Sequence, residues 1–369
     1  MTKLDFYKNK RVLISGHTGF KGAWLSLWLK ELGANVTGYA LEPPSKPNLF
    51  EAIGLEDKIT HIIGDIRDQD KLTSVFHDFK PEFVFHLAAQ PLVRFSYREP
   101  RLTYETNIIG TVNLLEAVRK TSSVRVTINI TSDKCYENKE VAYGYKETDP
   151  VGGYDPYSSS KGCAELVTTT YRRSFFNPDK HNEHKVALSS VRAGNVIGGG
   201  DWGQDRIIPD CIKSLSENKT ILIRNPKTVR PWQYVLECLS GYLWLGVLMH
   251  NDGRLYSSAW NFGPDDKEIL TVEDIVSSVI KHWGNGDYSV DKSIHPHEAG
   301  LLKLDCTKAS TFLKWKPIYD VHTALEETVK WYKEYHNSND SEQMYAAVLN
   351  YLTRYIEHAK KKKIEWSIG

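Results

Sequence analysis

The chain has 369 residues, 41% of them apolar and 25% charged, with a formal net charge of +1. That balance fills one large core or two unequal ones and excludes disordered and fibrous classes. Near-neutrality argues against a nucleic-acid backbone or an anionic membrane as the main partner, while leaving room for a local basic pocket.

The first half alternates β-branched runs with amphipathic stretches. RVLIS, from Arg11, reads as a strand, and AWLSLWLKELG, from Ala23, as a helix ended by Gly33. NVTGYA and KITHIIG read as second and third strands, DQDKLTSVFHDF as a helix with an acidic start, and FVFHLAA as a fourth strand. Thr103 to Lys120 reads as one long helix, VRVTINITS as a fifth strand, PYSSSKGCAELVTTTYRRSF as a helix and KVALSSVRAG as a sixth strand. Strands alternating with helices at this spacing predict an α/β fold: a Rossmann-type, doubly wound parallel sheet covered on both faces.

Past Gly194 the rhythm loosens, with turn-rich GGGDW, RNPKTVRPW, GPDD and HPHEAG between helical stretches. This predicts a dinucleotide-binding domain over 1–194, with returns near 233–263, and a smaller, mostly helical substrate-binding domain over 195–232 and 264–369. LSGYLWLGVLMH, from Leu239, is too short to span a bilayer and reads as a buried helix. No apolar run precedes the first glycine, so no signal peptide is expected. The cysteines (Cys135, Cys163, Cys211, Cys238 and Cys306) form no CxxC and are odd in number, which reads as reduced thiols in a cytoplasmic protein. HPHE, His295 to Glu298, has no third ligand at metal-site spacing, so it reads as a loop near the substrate and no metal is expected.

GHTGFKG places Gly16, Gly19 and Gly22 directly after a strand and before a helix. The first glycine permits a tight turn, the second lets backbone approach a pyrophosphate at the helix N-terminus, and the third allows close helix–strand packing. The spacing is GxxGxxG rather than GxGxxG. The second strand ends in GYALEPP, with no Asp for ribose hydroxyls and no adjacent Arg for a 2′-phosphate, which favours NAD over NADP. Asp65, in GDIRD, either contacts the adenine amine or caps its own loop.

In YSSSK, Tyr157 and Lys161 are four residues apart on a helix and share one face. An ammonium beside a phenol favours the phenolate, which can take a proton from a substrate alcohol as its hydride leaves. Ser132, at the end of the fifth strand, can hydrogen-bond the same oxygen. Asp133 and Lys134 follow it directly, a carboxyl and an amine where packing alone needs neither. They read either as an acid–base pair or as a turn with a surface ion pair.

Together these residues resemble the extended short-chain dehydrogenase/reductase superfamily. HLAAQ (His86 to Gln90), Asn107 in NIIGTVNLLEA, RAGNVIGGGD from Arg192 and DCTKASTFLKWKP from Asp305 extend the resemblance over nearly the whole chain. It implies NAD as cofactor, held by Gly16, Thr18, Gly19, Phe20, Gly22, Asp65, Ile66, Ala88, Ala89, Asn107, Tyr157 and Lys161. Within the superfamily the chain resembles the nucleotide-sugar 4,6-dehydratases. Members acting on dTDP-glucose are expected to carry Asp-Glu where this chain has Asp133-Lys134. That pair, with HTGFKG and VRPWQYV, resembles members acting on CDP-glucose. The resemblance then implies that Ser132 and Tyr157 handle the C4 hydroxyl and Lys161 holds the phenolate and ribose. Asp133 becomes the acid at the C6 hydroxyl and Lys134 the base at C5. A lysine base must be neutral, which nearby Lys161 and low solvation favour.

Gln90, Arg192, Asn195, Arg206, Arg224, Arg230 and Trp232 are the substrate-side candidates. Arg forks match diphosphate oxygens, and by resemblance Asn195 and Arg230 serve the pyrophosphate; each Arg reads equally as an ion-pair partner. Trp232 reads as a base-stacking or wall residue. Alternatives are a sugar-nucleotide 4-epimerase, which has no use for Asp133-Lys134, a dehydratase of GDP-mannose or dTDP-glucose, and a non-catalytic dinucleotide sensor. The superfamily also implies a homodimer or dimer of dimers, with Tyr104, Leu114, Leu115, Leu166 and Tyr171 as an apolar four-helix seam.

Overall fold

The computed structural model describes residues 1–265, 270–291, 301–338 and 340–369. HPHE at 295–298 lies outside the described residues. The central sheet is built from β1 (Arg11–Ser15), β2 (Asn35–Ala40), β3 (Thr60–Ile63), β4 (Phe83–His86), β5 (Val126–Ile130), β6 (Ala187–Arg192) and β7 (Ala259–Asn261). Its seven strands lie in the order β7-β6-β5-β4-β1-β2-β3, and every neighbouring pair is parallel. The chain winds outward from β1 through β3, then restarts at β4 on β1's other side. The carboxyl ends of β1 and β4 therefore flank the topological switch point, where such sheets open a crevice for ligands.

Nine helices matter for the site and its frame: α1 (Phe20–Glu31), α2 (Gln69–Phe79), α3 (100–119), α4 (Pro156–Ser174), α5 (Ile207–Ser216), α6 (Val235–Asn251), α7 (Val272–Trp283), α8 (Val321–Asn337) and α9 (Ser341–Lys361). Strand side chains alternate between two buried layers. Val12 and Ile14 of β1 join the core under α1 and α6, whereas Leu13 joins Leu72, Phe76, Leu114 and Leu115 under α2 and α3.

The helix predicted for 103–120 starts at Pro100 and contains a π turn over Glu105–Ile109 before continuing as Gly110–Arg119. The α1 helix starts inside the glycine loop, at Phe20, rather than at Ala23. Gly22 lies within its first turn, where only glycine fits, because a Cβ would stand 2.1 Å from the Gly16 carbonyl oxygen.

Beyond β6 the short strand Val196–Ile197 pairs with Gln233–Tyr234, and Val229–Arg230 pairs with Leu270–Thr271. The last helix returns to the first. Tyr355 packs on Trp28 with ring centroids 6.0 Å apart, and Tyr345 hydrogen-bonds Glu31 at 2.6 Å.

The predicted seam residues separate. Leu114 and Leu115 are fully buried in the chain's own core. Tyr171 donates its hydroxyl to Glu116 at 2.9 Å, and Tyr104 reaches Ser159 at 3.4 Å. Of the five, Leu166 is the one that is exposed; Ile109 and Phe175 are exposed as well.

Candidate active site

Four loops meet at the carboxyl edge of the sheet. Gly16–Gly22 follows β1, Leu87–Gln90 follows β4, Thr131–Tyr136 follows β5 and Ala193–Ile197 follows β6. The first is fixed by Gly16, whose φ is +81° and whose missing side chain admits Ala88 N, 2.6 Å from where a Cβ would lie. Thr18 turns inward and donates its hydroxyl to the Leu41 carbonyl at 2.9 Å. Gly19 is the N-cap of α1 and has no side chain to cap the first turn. A Cβ on Gly19 would meet only the Gly16 oxygen, at 3.5 Å, so the space above it is open. Phe20 is half-buried beside Gly198.

His86 ties this corner together. Its ring nitrogens hydrogen-bond Ser15 at 2.6 Å and Thr111 at 3.2 Å, joining β1, β4 and α3. Ala88 and Ala89 are half-buried beside the glycine turn. Asn107, read from the sequence as a cofactor residue, has its amide committed elsewhere: it accepts from Gln90 N at 2.8 Å and donates to Gln90 O at 3.1 Å and Ser160 at 2.8 Å. The Gln90 side chain, read as a substrate contact, donates to Leu92 O within its own loop and to Thr103 on α3. Both therefore hold loops in place. Ile66 is buried beneath Gly110. Asp65 takes the capping alternative: it accepts from Arg67 N at 2.9 Å and pairs with the Arg67 guanidinium at 2.6 Å, which holds its carboxyl below the usual range.

The reacting set sits on the loop after β5 and on the first two turns of α4. Asp155 caps α4 by accepting Ser158 N at 3.0 Å, and Pro156 fits the first helical position. This places Tyr157 in the first turn and Lys161 one turn later. Ser132 ends the β5 extension and accepts Lys134 N at 3.2 Å, folding Asp133–Cys135 into one tight turn. Ser132 Oγ donates to Asp133 Oδ1 at 2.9 Å and also hydrogen-bonds the Tyr157 phenol. Asp133 is buried, with its carboxylate filling the space that a side chain on Gly194 would need. Lys134 is half-buried at the turn's outer edge.

Electrostatics here departs from expectation. Burial pushes the Tyr157 phenol up to about 12, against the opposing pull of the Ser132 hydrogen bond and Arg206. The Lys161 amine donates to the Ile130 carbonyl at 3.4 Å. Burial, reinforced by the charge of Lys21, lowers its pKa to about 8. Lys21 is itself lowered by burial and feels Asp133, Asp201 and Arg206. The sequence signal for it was a cation set inside the glycine loop GHTGFKG itself.

On the substrate side, Arg206 pairs with Asp201 at 2.7 Å, which raises its pKa, and its charge reaches Tyr157. Asn195 is half-buried with φ +42°, its carbonyl accepting Gln233 N at 3.2 Å. Arg230 is half-buried and donates to the Val229 carbonyl at 3.3 Å. Arg224 pairs with Asp205 at 3.2 Å. Trp232 is 8% exposed and packed in the main core, so it forms wall rather than a stacking platform. Arg192, proposed for substrate phosphate, is 3% exposed and paired with Glu165 at 2.7 Å. Its charge is spent inside the protein, the ion-pair alternative.

A glycine loop at the switch point with a Ser-Tyr-Lys set beside it defines a short-chain dehydrogenase/reductase. The GDP-mannose 4,6-dehydratase family model matches residues 13–328, and the chain belongs to that family. It is 52% identical to the CDP-glucose 4,6-dehydratase of Salmonella typhimurium, over 92% of this chain and 95% of the relative. Among solved structures, the UDP-glucose 4-epimerase of Thermotoga maritima with UDP-glucose superposes with TM-score 0.74 at 24% identity, covering 87% of this chain and 98% of that one. The dTDP-glucose 4,6-dehydratase of Bacillus anthracis in complex with NAD gives TM-score 0.69 at 20% identity, covering 88% and 96%.

Proposed function

We propose that this chain dehydrates CDP-D-glucose to CDP-4-dehydro-6-deoxy-D-glucose, using an NAD that is restored each turnover. The observation that carries the reading is Asp133, buried between Ser132 and Gly194, with Lys134 beside it and the Tyr157 phenol bonded to the same Ser132. The residues fit the cofactor: Gly19 leaves open space, and α1 begins there with no side chain capping its first turn. When bound, NAD would supply reversible hydride chemistry, from C4 and back to C6.

Tyr157 takes the proton of the C4 hydroxyl, aided by Ser132, and Lys161 provides positive charge beside the phenolate and the ribose. The C4 ketone makes the C5 proton acidic. Lys134 removes it, and Asp133 protonates the C6 hydroxyl, which departs as water. Lys134 returns a proton to C5 after hydride reaches C6, and the proton left on Tyr157 restores the acid form of Asp133, so atoms and electrons balance with no outside reductant. Asn195, Arg206 and Arg230 are the residues we assign to the nucleotide diphosphate.

The nearly neutral chain, the absence of disulfides among its cysteines and the kinship with nucleotide-sugar enzymes support a cytoplasmic place in deoxysugar supply, with lipopolysaccharide O-antigen as destination. No helix of the described residues is long and apolar enough to cross a membrane. The exposed Ile109, Leu166 and Phe175 on α3 and α4 support a homodimer seam there.

Incubation with CDP-glucose and NAD tests the reading. A 4-keto product, seen by its near-ultraviolet absorbance in alkali, is expected. A CDP-galactose product would instead mark an epimerase, and silence with every nucleotide sugar would mark a sensor.

A further inference from the structure

Two buried charged groups outside the reacting set meet beneath the loop that carries Asp133 and Lys134. Glu165 lies on α4, four residues beyond Lys161 and on the face that carries Tyr157 and Lys161. Arg192 ends β6. Their side chains pair at 2.7 Å with 1% and 4% exposure. Burial works to raise the Glu165 carboxyl, but the Arg192 charge and hydrogen bonds to Arg192, Thr131 and Ser190 hold it below the usual range.

The partners of this pair are specific. Thr131 donates its hydroxyl to Glu165 Oε1, and Ser190 donates to Glu165 Oε2 at 2.7 Å. Arg192 Nη1 donates to the Tyr136 hydroxyl at 2.7 Å, and that hydroxyl donates onward to Asn261 at 2.8 Å. Thr131 and Tyr136 are the first and last residues of TSDKCY. One ion pair thus holds both ends of the segment that presents Ser132, Asp133 and Lys134. Its acidic member sits on the helix that presents Tyr157 and Lys161.

A buried ion pair is weak evidence for stability, since well-packed apolar residues often serve as well. What apolar residues cannot supply is two directed tethers. We propose that Glu165 and Arg192 are positioning residues that hold the elimination loop in register with the oxidation helix. This rests on the dehydratase reading above. Tyr157, Ser132 and Lys161 serve hydride removal at C4, whereas Asp133 and Lys134 serve proton removal at C5 and water loss at C6. Loosening the far tether, at Tyr136, displaces the second group more than the first, because Thr131 N still donates to Val191 O at 2.9 Å.

The test is Tyr136→Phe, with the double variant Glu165→Met/Arg192→Met as a second arm that strands no buried charge. Each is mixed rapidly with CDP-glucose and NAD in deuterated water. Reduced-cofactor absorbance follows C4 oxidation, and deuterium at C5 follows elimination. Oxidation is expected to stay within about threefold of the unaltered chain while C5 exchange slows roughly tenfold to a hundredfold, so that reduced cofactor accumulates. Proportional slowing of both steps in both variants marks a merely structural pair and overturns the proposal, as does no change in either step. An unaltered chain that neither reduces the cofactor nor exchanges C5 overturns the dehydratase reading itself, a result visible before any variant is made.

Discussion

Gly194 and Asp133 compete for one volume: a Cβ on Gly194 would stand 2.0 Å from Asp133 Oδ2. The contact is with the far end of a side chain, so the backbone has no need to move. Gly194→Ala is therefore expected to fold with a melting temperature within a few degrees of the parent, while the carboxyl is driven off its position. Turnover should fall on the order of a hundredfold, as for other misplacements of reacting groups by about an ångström. Thermal melting alongside a steady-state assay checks both halves; unchanged turnover would remove Asp133 from the acid's role.

Lys134 stands at the outer edge of the same turn, with its backbone N–H bonded to Ser132. Lys134→Ala should slow C5 deuterium exchange by roughly a hundredfold or more while C4 oxidation and cofactor binding persist. Normal exchange in the variant would transfer the base's role to another group.

The glycine loop separates packing from binding. Gly22→Ala would set a methyl 2.1 Å from backbone at Gly16, and should destabilise the fold by several kcal/mol, on the order of other overpacked sites. Gly19→Ala meets nothing closer than 3.5 Å and should leave stability within about 1 kcal/mol. Its methyl instead occupies the space assigned to the pyrophosphate. NAD affinity is expected to drop at least roughly tenfold, measured by calorimetric titration.

Burial holds the His86 imidazole neutral, with its pKa lowered to about 3 from the ordinary 6.5. Between those values the unfolded chain binds more protons than the folded one. Stability therefore rises with pH across that window, levels off above about 6.5, and is lost on acidification. The slope owed to this group is roughly 1.4 kcal/mol per pH unit. Urea unfolding of the cofactor-free chain from about pH 4 to 7 should show that slope shrink in His86→Gln. An unchanged slope would mean that the ring is protonated in the folded state.

The strands and the glycine turn were legible because their signals are local: a β-branched run, a triplet of glycines, a helix start. Tyr157 and Lys161 were legible for the same reason, since helical spacing alone puts them on one face. The fate of the arginines was not. Arg192 and Arg230 look alike in sequence, yet one is buried against Glu165, and only the pairing of β6 with β5 and α4 decides this. Glu165 carried a missed signal, the continuation of the Tyr157–Lys161 spacing by one more turn. The lowered pKa of Lys161 was not legible, because a single chain position cannot tell how much burial will oppose its charge. The return of α9 onto α1 had no signal short of the fold itself, because Trp28 and Tyr355 are far apart in sequence.

The π turn at Glu105–Ile109 also governs how this chain tolerates deletions. It houses one residue more than an α-turn would, and Asn107 in its middle holds both Gln90 and Ser160. Excising a single residue there would rewind the segment to regular α-helix and leave Leu114 and Leu115 in phase on the core side. What such a deletion would shift is Asn107, and with it the tie between Gln90 and Ser160. The surplus residue thus serves the loops around the reacting groups, and the helix could lose it and still fold.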